Sequence, residues 1–478
     1  MALPQNKTKI VCTIGPASES IEVMCGLIEA GMNVARLNFS HGDFSAHKKV
    51  IDNLRTASVK TGRRLAIMAD LSGPKMRIGK IDPEPVYLKP DDIFTLTIDD
   101  IVGDSTRVSV SFEGLPKAVK AGDILYLNDG YIQLAVTKVQ GNDVICVVKV
   151  GGELRSRKGL NLPDIDLGIS AFTARDRECL KFALENGVDA VSQSFVESAS
   201  DIHEVRKAAN DFGYQPFIIA KIERSNALAN IDEIIDAADG IMIARGDLGV
   251  EVPIEKIAVI QKDLMRRANM RAKPVITATQ MLESMITNKR PTRAEATDVS
   301  NAIINGTDCV MLSGESAMGD YPVESVMMLA KIAVAVEPER RQIPVKEMFQ
   351  GADLKGRIKP DHLIACSVEA SLEYVTPAAV FVPTRTGATA RSIGRFRLPV
   401  WIIAVSSQEA ACQNLQFSYG VFPVHEKDHP ENWNTYVKEW LKDHGMKGDI
   451  VVLTEGPSSK HPDANHRMEI IDLRSSEK

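Results

Sequence analysis

The sequence predicts an α/β fold: a (β/α)8 TIM barrel with an inserted small all-β lid domain and a C-terminal open α/β domain. Three observations predict it. Short apolar strands alternate with amphipathic helices from residue 9 to 71 and again from 165 to 336. The stretch between loses helical periodicity and alternates residue by residue, and a third strand–helix rhythm begins after residue 345. A length of 478 residues agrees, at roughly 150 residues per domain. The expected division is 1–71 with 165–345 for the barrel, 72–164 for the lid and 346–478 for the last domain.

The expected barrel strands are Lys9 to Ile14, Asn33 to Asn38, Leu65 to Leu71, Ala190 to Phe195, Pro216 to Glu223, Gly240 to Arg245, Pro274 to Thr279 and Cys309 to Ser313. Eight strands with helices between them fit a closed barrel, whose site lies at the strands' carboxyl ends. Counting alone leaves open a doubly wound open sheet. Ile21, Met24, Cys25 and Ile28 recur at helical spacing before a capping Gly31, and Ile202, Val205, Ala209 and Phe212 form a second stripe. In the insertion, Ile124 to Leu134 alternates, with Asp129-Gly130 and Gly141-Asn142 as hairpin turns. The last domain carries apolar strands near Ala379 to Val382, Val400 to Val405, Gly420 to Val424 and Ile450 to Leu453.

Composition excludes several classes. Hydrophobic residues make up 44% and charged residues 25%, an ordinary globular profile. A net charge of -6 argues against a nucleic-acid partner, because phosphate backbones are held by clustered Lys and Arg. The seven cysteines are scattered without a CxxC pair, which predicts neither a disulfide framework nor a zinc site and suits a cytoplasmic location. No apolar run approaches the ~20 residues that span a bilayer, so no membrane association is expected.

Side chains two apart on a strand point the same way, so polar residues at i and i+2 near a strand's end converge on one pocket. Arg36, Asn38 and Ser40 share a face in VARLNFSHG, Lys221 and Glu223 in IIAKIER, Arg245 and Asp247 in IMIARGDLG, and Thr277 and Thr279 in VITATQM. One charged pair at a strand end is usually a solvated loop contact; four such sets in one barrel indicate a site. Glu223 and Asp247 supply the hard oxygen ligands that suit Mg2+. Lys221, Arg36 and Arg245 add positive charge, and magnesium with Lys and Arg is how proteins stabilise a transferring phosphoryl group. ARGDLGVEVPIEK opens a helix, so the N–H groups near Gly246 and Asp247 are candidates to receive an anion. Neither a GxxxxGKS/T loop nor a GxGxxG fingerprint occurs, so a nucleotide must be held by side chains.

The blocks KIVCTIGPAS, MNVARLNFSHG, GPKMRIG, KGLNLP, AKIER, ARGDLGVEVP, ATQMLESM and MLSGESAMGDYP resemble those of pyruvate kinases. They run through the barrel and both lid hinges, and the resemblance is looser in the C-terminal part. It implies phosphoryl transfer from phosphoenolpyruvate to ADP, giving pyruvate and ATP in glycolysis, by a homotetramer that uses Mg2+ or, as a substitute, Mn2+. It further implies that Lys221 stabilises the phosphoryl transfer and the enolate, that Glu223 and Asp247 hold the metal, and that Arg36 grips the phosphoryl group. Gly246, Asp247 and Thr279 would seat the substrate carboxylate, with Thr279 near the carbon that is protonated. Asn38, His41, Arg77 and Lys158 would contact the nucleotide.

Two departures from the family pattern stand out. Potassium-dependent members read DTKGPE at the first hinge, whereas this chain reads Asp70-Leu71-Ser72-Gly73-Pro74-Lys75. An ammonium at Lys75, beside the potassium pocket of Asn38, Ser40, Asp70 and Leu71, would replace the ion's charge and oppose its binding, so activity without K+ is expected. In the last domain, Thr384-Arg385-Thr386-Gly387-Ala388-Thr389 lies between a strand and a helix as a phosphate cradle and resembles the family's effector loop. The glycine-rich loop of sugar-bisphosphate-regulated members is here Glu455 to Asp463, with one glycine, so a phosphorylated effector is expected but not its identity. The rival readings are a Mg-dependent enolpyruvate aldolase or lyase barrel and a non-catalytic effector-sensing protein on the same fold.

Overall fold

The computed structural model describes residues 3–165, 167–340, 343–345, 360–428, 430–456 and 465–476. Its centre is a closed ring of parallel strands: Lys9–Thr13, Met32–Asn38, Ala66–Leu71, Ala190–Gln193, Phe217–Ile222, Gly240–Ala244, Val275–Ala278 and Cys309–Leu312. They follow one another around the ring in chain order, and the last pairs with the first through Lys9 opposite Cys309. Closure rules out the open doubly wound sheet. The strands read as unbroken apolar runs because both faces are buried. Val11, Val34, Met68, Ile219, Met242, Ile276 and Met311 fill the interior, while Ile10, Cys12, Ile218 and Ile241 pack outward against the helices.

The helices show the signals that make them. Ser20 caps Ile21–Ala30 by accepting from Val23 N–H, and the helix ends at Gly31, whose φ of 126° only glycine adopts readily. Thr173 and Asp176 form a reciprocal capping box that starts Ala174–Glu185.

Between the third and fourth barrel strands the chain builds a separate β unit. Its six-stranded sheet runs in the order Leu160–Asn161, Ile124–Leu127, Ile132–Gln140, Asp143–Val150, Ile93–Thr97 and Arg107–Ser109, over its own apolar core. The expected turns fall between strands: Asn128, Asp129 and Gly130 have φ of 53°, 55° and 87°, and Gly141 has 60°. The Asp129-Gly130 tip rests against Val250, on the helix Arg245–Glu251 that follows the sixth barrel strand.

The C-terminal sheet runs Val421–His425, Ile402–Ser406, Val380–Pro383, Ile450–Glu455 and Arg467–Asp472. Its first four strands are parallel; the fifth is antiparallel and was not anticipated. RMEIID is half charged and only Ile471 in it is buried, so this edge strand is held by backbone pairing and carries little apolar signature. Phe417, from this half, stacks on Phe217 with ring centroids 5.4 Å apart and belongs to the barrel's interior cluster. Among the described residues no helix is long and apolar enough to cross a membrane.

Candidate active site

At the carboxyl ends of the barrel strands, one carboxylate gathers the charged groups. Asp70, next to last in the third strand, accepts from Arg36 Nε at 3.0 Å and Nη2 at 2.5 Å, and from Ser192 Oγ at 2.6 Å. Lys221 Nζ lies 3.3 Å from Asp70 Oδ1 and 2.8 Å from Glu223 Oε1, and donates to Ser194 Oγ at 2.6 Å. Arg36 Nη1 also donates to Thr13 Oγ1 at 2.8 Å. The second oxygen of Glu223 takes the Phe195 N–H at 2.9 Å. Residues from five strands therefore meet in one network, as parallel barrel strands of equal phase allow.

The charge states follow from this packing. Burial alone would raise the Asp70 carboxyl, but Lys221 and Arg36 hold it far below the usual carboxylate range. Burial opposes the Lys221 ammonium, yet Asp70 and Glu223 push it up to about 12. Asp247 is raised to about 6 by burial and by the charge of Glu223. Glu223 and Asp247 thus set two carboxylates close enough to repel each other, and hard oxygen donors of this kind suit a divalent ion that takes one or two carboxylates from the protein. Lys75 is exposed at the edge of this network: burial, then Lys221, lower its pKa, with Asp70 and Glu223 acting the other way.

The structure brings Arg36, Lys221, Glu223, Asp70 and Lys75 into electrostatic contact and sets Asp247 beside Glu223. Two pairings read from strand alternation do not hold. Arg245 is the first residue of a helix; its guanidinium reaches Asp298 at 2.6 Å and Thr279 O at 2.7 Å, so it braces the neighbouring strand instead of adding charge beside Lys221. Thr277 is buried and bonds Thr307 Oγ1 at 2.9 Å, away from Thr279. Strand alternation fails at Thr279 because its φ is 68°, a conformation unfavourable for a β-branched residue. The Thr279 hydroxyl donates to Ala278 O at 2.7 Å and accepts from Gly246 N–H at 2.8 Å, so that N–H serves Thr279 and is not open to an anion.

Ser40 Oγ lies 2.7 Å from Ser72 Oγ, and Asn38 Oδ1 accepts the Ser40 N–H. Leu71 is buried, its carbonyl taking the Ser194 N–H. His41 stands on the same rim, its pKa lowered by burial, Lys75, Arg77 and Arg36. Arg77 bonds the Arg157 carbonyl across the insertion, and the Lys158 carbonyl accepts from Ile78. Gly73, where the chain enters the β insertion, has a φ of 62°, and a Cβ there would stand 2.8 Å from the Phe195 ring, so glycine is required.

Sequence reading missed Ser192 and Ser194, although VSQS shows the same i, i+2 spacing on the fourth strand. It also missed Arg224 and Glu251, which touch neither Asp70 nor Lys221. Arg224 is buried, with Nη2 donating to Leu162 O at 3.3 Å and Ile165 O at 2.9 Å where the β insertion returns to the barrel. Its Nε lies 3.1 Å from Glu197 and 3.6 Å from Glu251, on the helix that carries Asp247.

In the C-terminal unit, the Gly387 N–H donates to Thr384 Oγ1 at 3.0 Å and the Ala388 N–H to Thr386 Oγ1 at 3.4 Å; Gly387 has a φ of 81°, and Arg385 and Thr386 are exposed. Thr389 lies in the helix Ala388–Gly394. Of the loop Glu455 to Asp463, residues 457–463 lie outside the described residues.

Comparison with known proteins agrees with this architecture. Residues 5–326 match the family model described as pyruvate kinase, barrel domain, and residues 362–471 the one described as pyruvate kinase, alpha/beta domain. Pyruvate kinase of Thermococcus litoralis is 50% identical over 460 residues, 95% of this chain and 96% of that one. Pyruvate kinase of Geobacillus stearothermophilus is 42% identical over 460 residues, 95% of this chain and 78% of its own length. A crystal structure of a pyruvate kinase from Cryptosporidium parvum superimposes with a TM-score of 0.91 at 35% identity, covering 98% of this chain and 96% of that one. With the closed barrel, the network around Asp70 and Lys221, and these matches over both parts of the chain, the chain belongs to the pyruvate kinase family of phosphotransferases.

Proposed function

We propose that the enzyme moves the phosphoryl group of phosphoenolpyruvate onto ADP, giving pyruvate and ATP as a cytoplasmic glycolytic enzyme, with Mg2+ as its metal and without need of K+. The carrying observation is the buried Lys221 ammonium, held by Asp70, Glu223 and Ser194 beside Asp247.

Glu223 and Asp247 would hold the ion, which when bound supplies charge to the transferring phosphoryl oxygens. Lys221, pushed up to about 12, stays charged through neutral pH and offers its ammonium in an already oriented position. Arg36, aligned by Asp70 and Thr13, would grip the phosphoryl oxygens in the same way. The Thr279 hydroxyl, fixed between the Gly246 N–H and the Ala278 carbonyl, would sit at the end where the enolate carbon is protonated. Segment 72–164, hinged near Gly73 and Ile165, would close over the nucleotide, bringing Arg77 and Lys158 towards Asn38 and His41 and excluding water. Lys75, within electrostatic reach of Asp70 and Glu223, would stand in for a monovalent cation. A homotetramer with a phosphorylated effector at Thr384, Arg385, Thr386, Gly387 and Thr389 completes the reading.

The test is pyruvate formation from phosphoenolpyruvate and ADP, omitting the divalent ion, potassium and a panel of phosphorylated effectors in turn. Turnover in magnesium and choline buffer supports the reaction and its independence of potassium, and a response to one of the effectors supports the loop at Thr384 to Thr389. Absence of pyruvate in every mixture refutes the reaction, and turnover that appears only with potassium refutes the role of Lys75.

A further inference from the structure

At the barrel base, Asn269, Lys273 and Asp308 meet Arg391, Arg397 and Ser418 of the C-terminal unit around a cavity of about 10 Å3, room for one water-sized particle. Lys273, Arg391, Arg395 and Arg397 line it, and Asp308 is the one carboxylate among its described lining residues.

Asp308 is already committed. Its Oδ1 accepts from Arg397 Nη1 at 2.6 Å and Tyr419 N–H at 2.9 Å, and its Oδ2 from Arg397 Nη2 at 2.7 Å and Val275 N–H at 3.0 Å. Three donors are left over. Arg397 Nε, Ser418 Oγ and Arg391 Nη1 are buried with no hydrogen-bond partner among the described residues, and the Arg397 side chain is only 1% exposed. Leaving buried donors unmet costs free energy, more so on a charged group. Burial also lowers the pKa values of Lys273 and Arg391, with Asp239 offsetting part of the effect, so the two cations are poorly solvated where they stand.

We propose that this cavity is a binding site for one compact monovalent anion of the chloride class, shared between the barrel base and the C-terminal unit. A water would accept from the leftover donors but bring no charge; an anion does both. The space is too small for a phosphate group, which separates this site from the exposed loop at Thr384 to Thr389. It is mechanically joined to that loop, because Arg391 Nη2 donates to the Thr386 carbonyl at 3.3 Å and its guanidinium lies over the Phe217 ring of the barrel.

Crystals of the full chain grown in bromide should show an anomalous peak in the cavity, within hydrogen-bond reach of Arg391 and Arg397. In solution, replacing gluconate by chloride at constant sodium should raise the unfolding midpoint by about 2–4 °C, the shift a saturating ligand gives a protein of this kind. Arg391→Gln should abolish that rise. A cavity that holds water without anomalous signal overturns the proposal, as does an equal chloride response in Arg391→Gln. Should that variant not fold, the bromide crystal of the native chain decides alone.

Discussion

Lys221 and Lys75 are two ammonium groups at one cleft with opposite electrostatic situations. Lys221 is paired on two sides and raised; Lys75 is lowered by burial and by Lys221. Lys221→Met should cut turnover by about two or more powers of ten, since it removes a positioned charge from the transition state while leaving the barrel packing. Steady-state pyruvate formation measures it, and near-native turnover would remove Lys221 from the chemistry. Lys75→Glu should make the enzyme depend on potassium: activity in choline buffer should fall at least tenfold and return on adding K+. A variant equally active in choline and potassium would show that Lys75 does not serve as the ion. Lys221 and Glu223 were legible as a pair from spacing alone, because strand alternation is strict at that point. Arg245 and Thr279 were not, because one begins a helix and the other has a positive φ, and neither feature shows in a list of residue types.

The return of the β insertion at Leu162 and Ile165, the end of the fifth barrel strand and the helix Arg245–Glu251 are tied together by Arg224. Arg224→Lys keeps the charge but cannot reach Leu162 O, Ile165 O and Glu197 together. Losing a buried charged hydrogen bond typically costs about 1.5–3 kcal/mol, so the KM for ADP should rise about tenfold or more if the hinge positions the lid. The KM for phosphoenolpyruvate should move less, and faster hydrogen exchange across residues 160–165 should accompany the change; unchanged exchange there would refute the hinge role.

The same knot carries a pH response. Glu251 is raised from 4.5 to about 7 by burial, against the pull of Arg224, with Glu197 and Asp164 adding to the rise. The native state therefore binds the Glu251 proton more tightly than the unfolded chain. This contribution is fully present below pH 4.5 and is lost as pH rises through about 7. Urea unfolding at pH 5 and pH 8 should show a smaller difference in Glu251→Gln than in the native chain. Identical pH dependence in both would rule out this assignment.

Across the whole molecule, barrel and C-terminal unit share a core. Phe417 closes the barrel base, Arg64 pairs with Glu409, and Arg397 joins Asp308, Asn269 and Gly306 in one buried set of bonds. Removing one partner of a buried ion pair costs about 3–5 kcal/mol. Arg397→Met should therefore lower unfolding stability by that amount and separate the denaturation of the two parts. An unchanged single transition would show that the pair contributes little to the interface.

The sequence alone determined the eight strands and their order along the chain, the place of the β insertion and the Lys221–Glu223 pair at one strand end; closure of the ring was decided by the tertiary structure. Strands, insertion and pair follow from local rules: apolar runs of strand length, helical stripes with caps, and turn residues that need a positive φ. Only the tertiary structure decided that Asp70 is the centre of the charge network, that Arg224 bonds Leu162 and Ile165 where the β insertion rejoins the barrel, and that three arginines and a lysine line one small cavity at the barrel base. Those facts depend on side chains far apart in the chain meeting in a low-dielectric space, where each group's effect is set by neighbours that no short stretch of sequence contains.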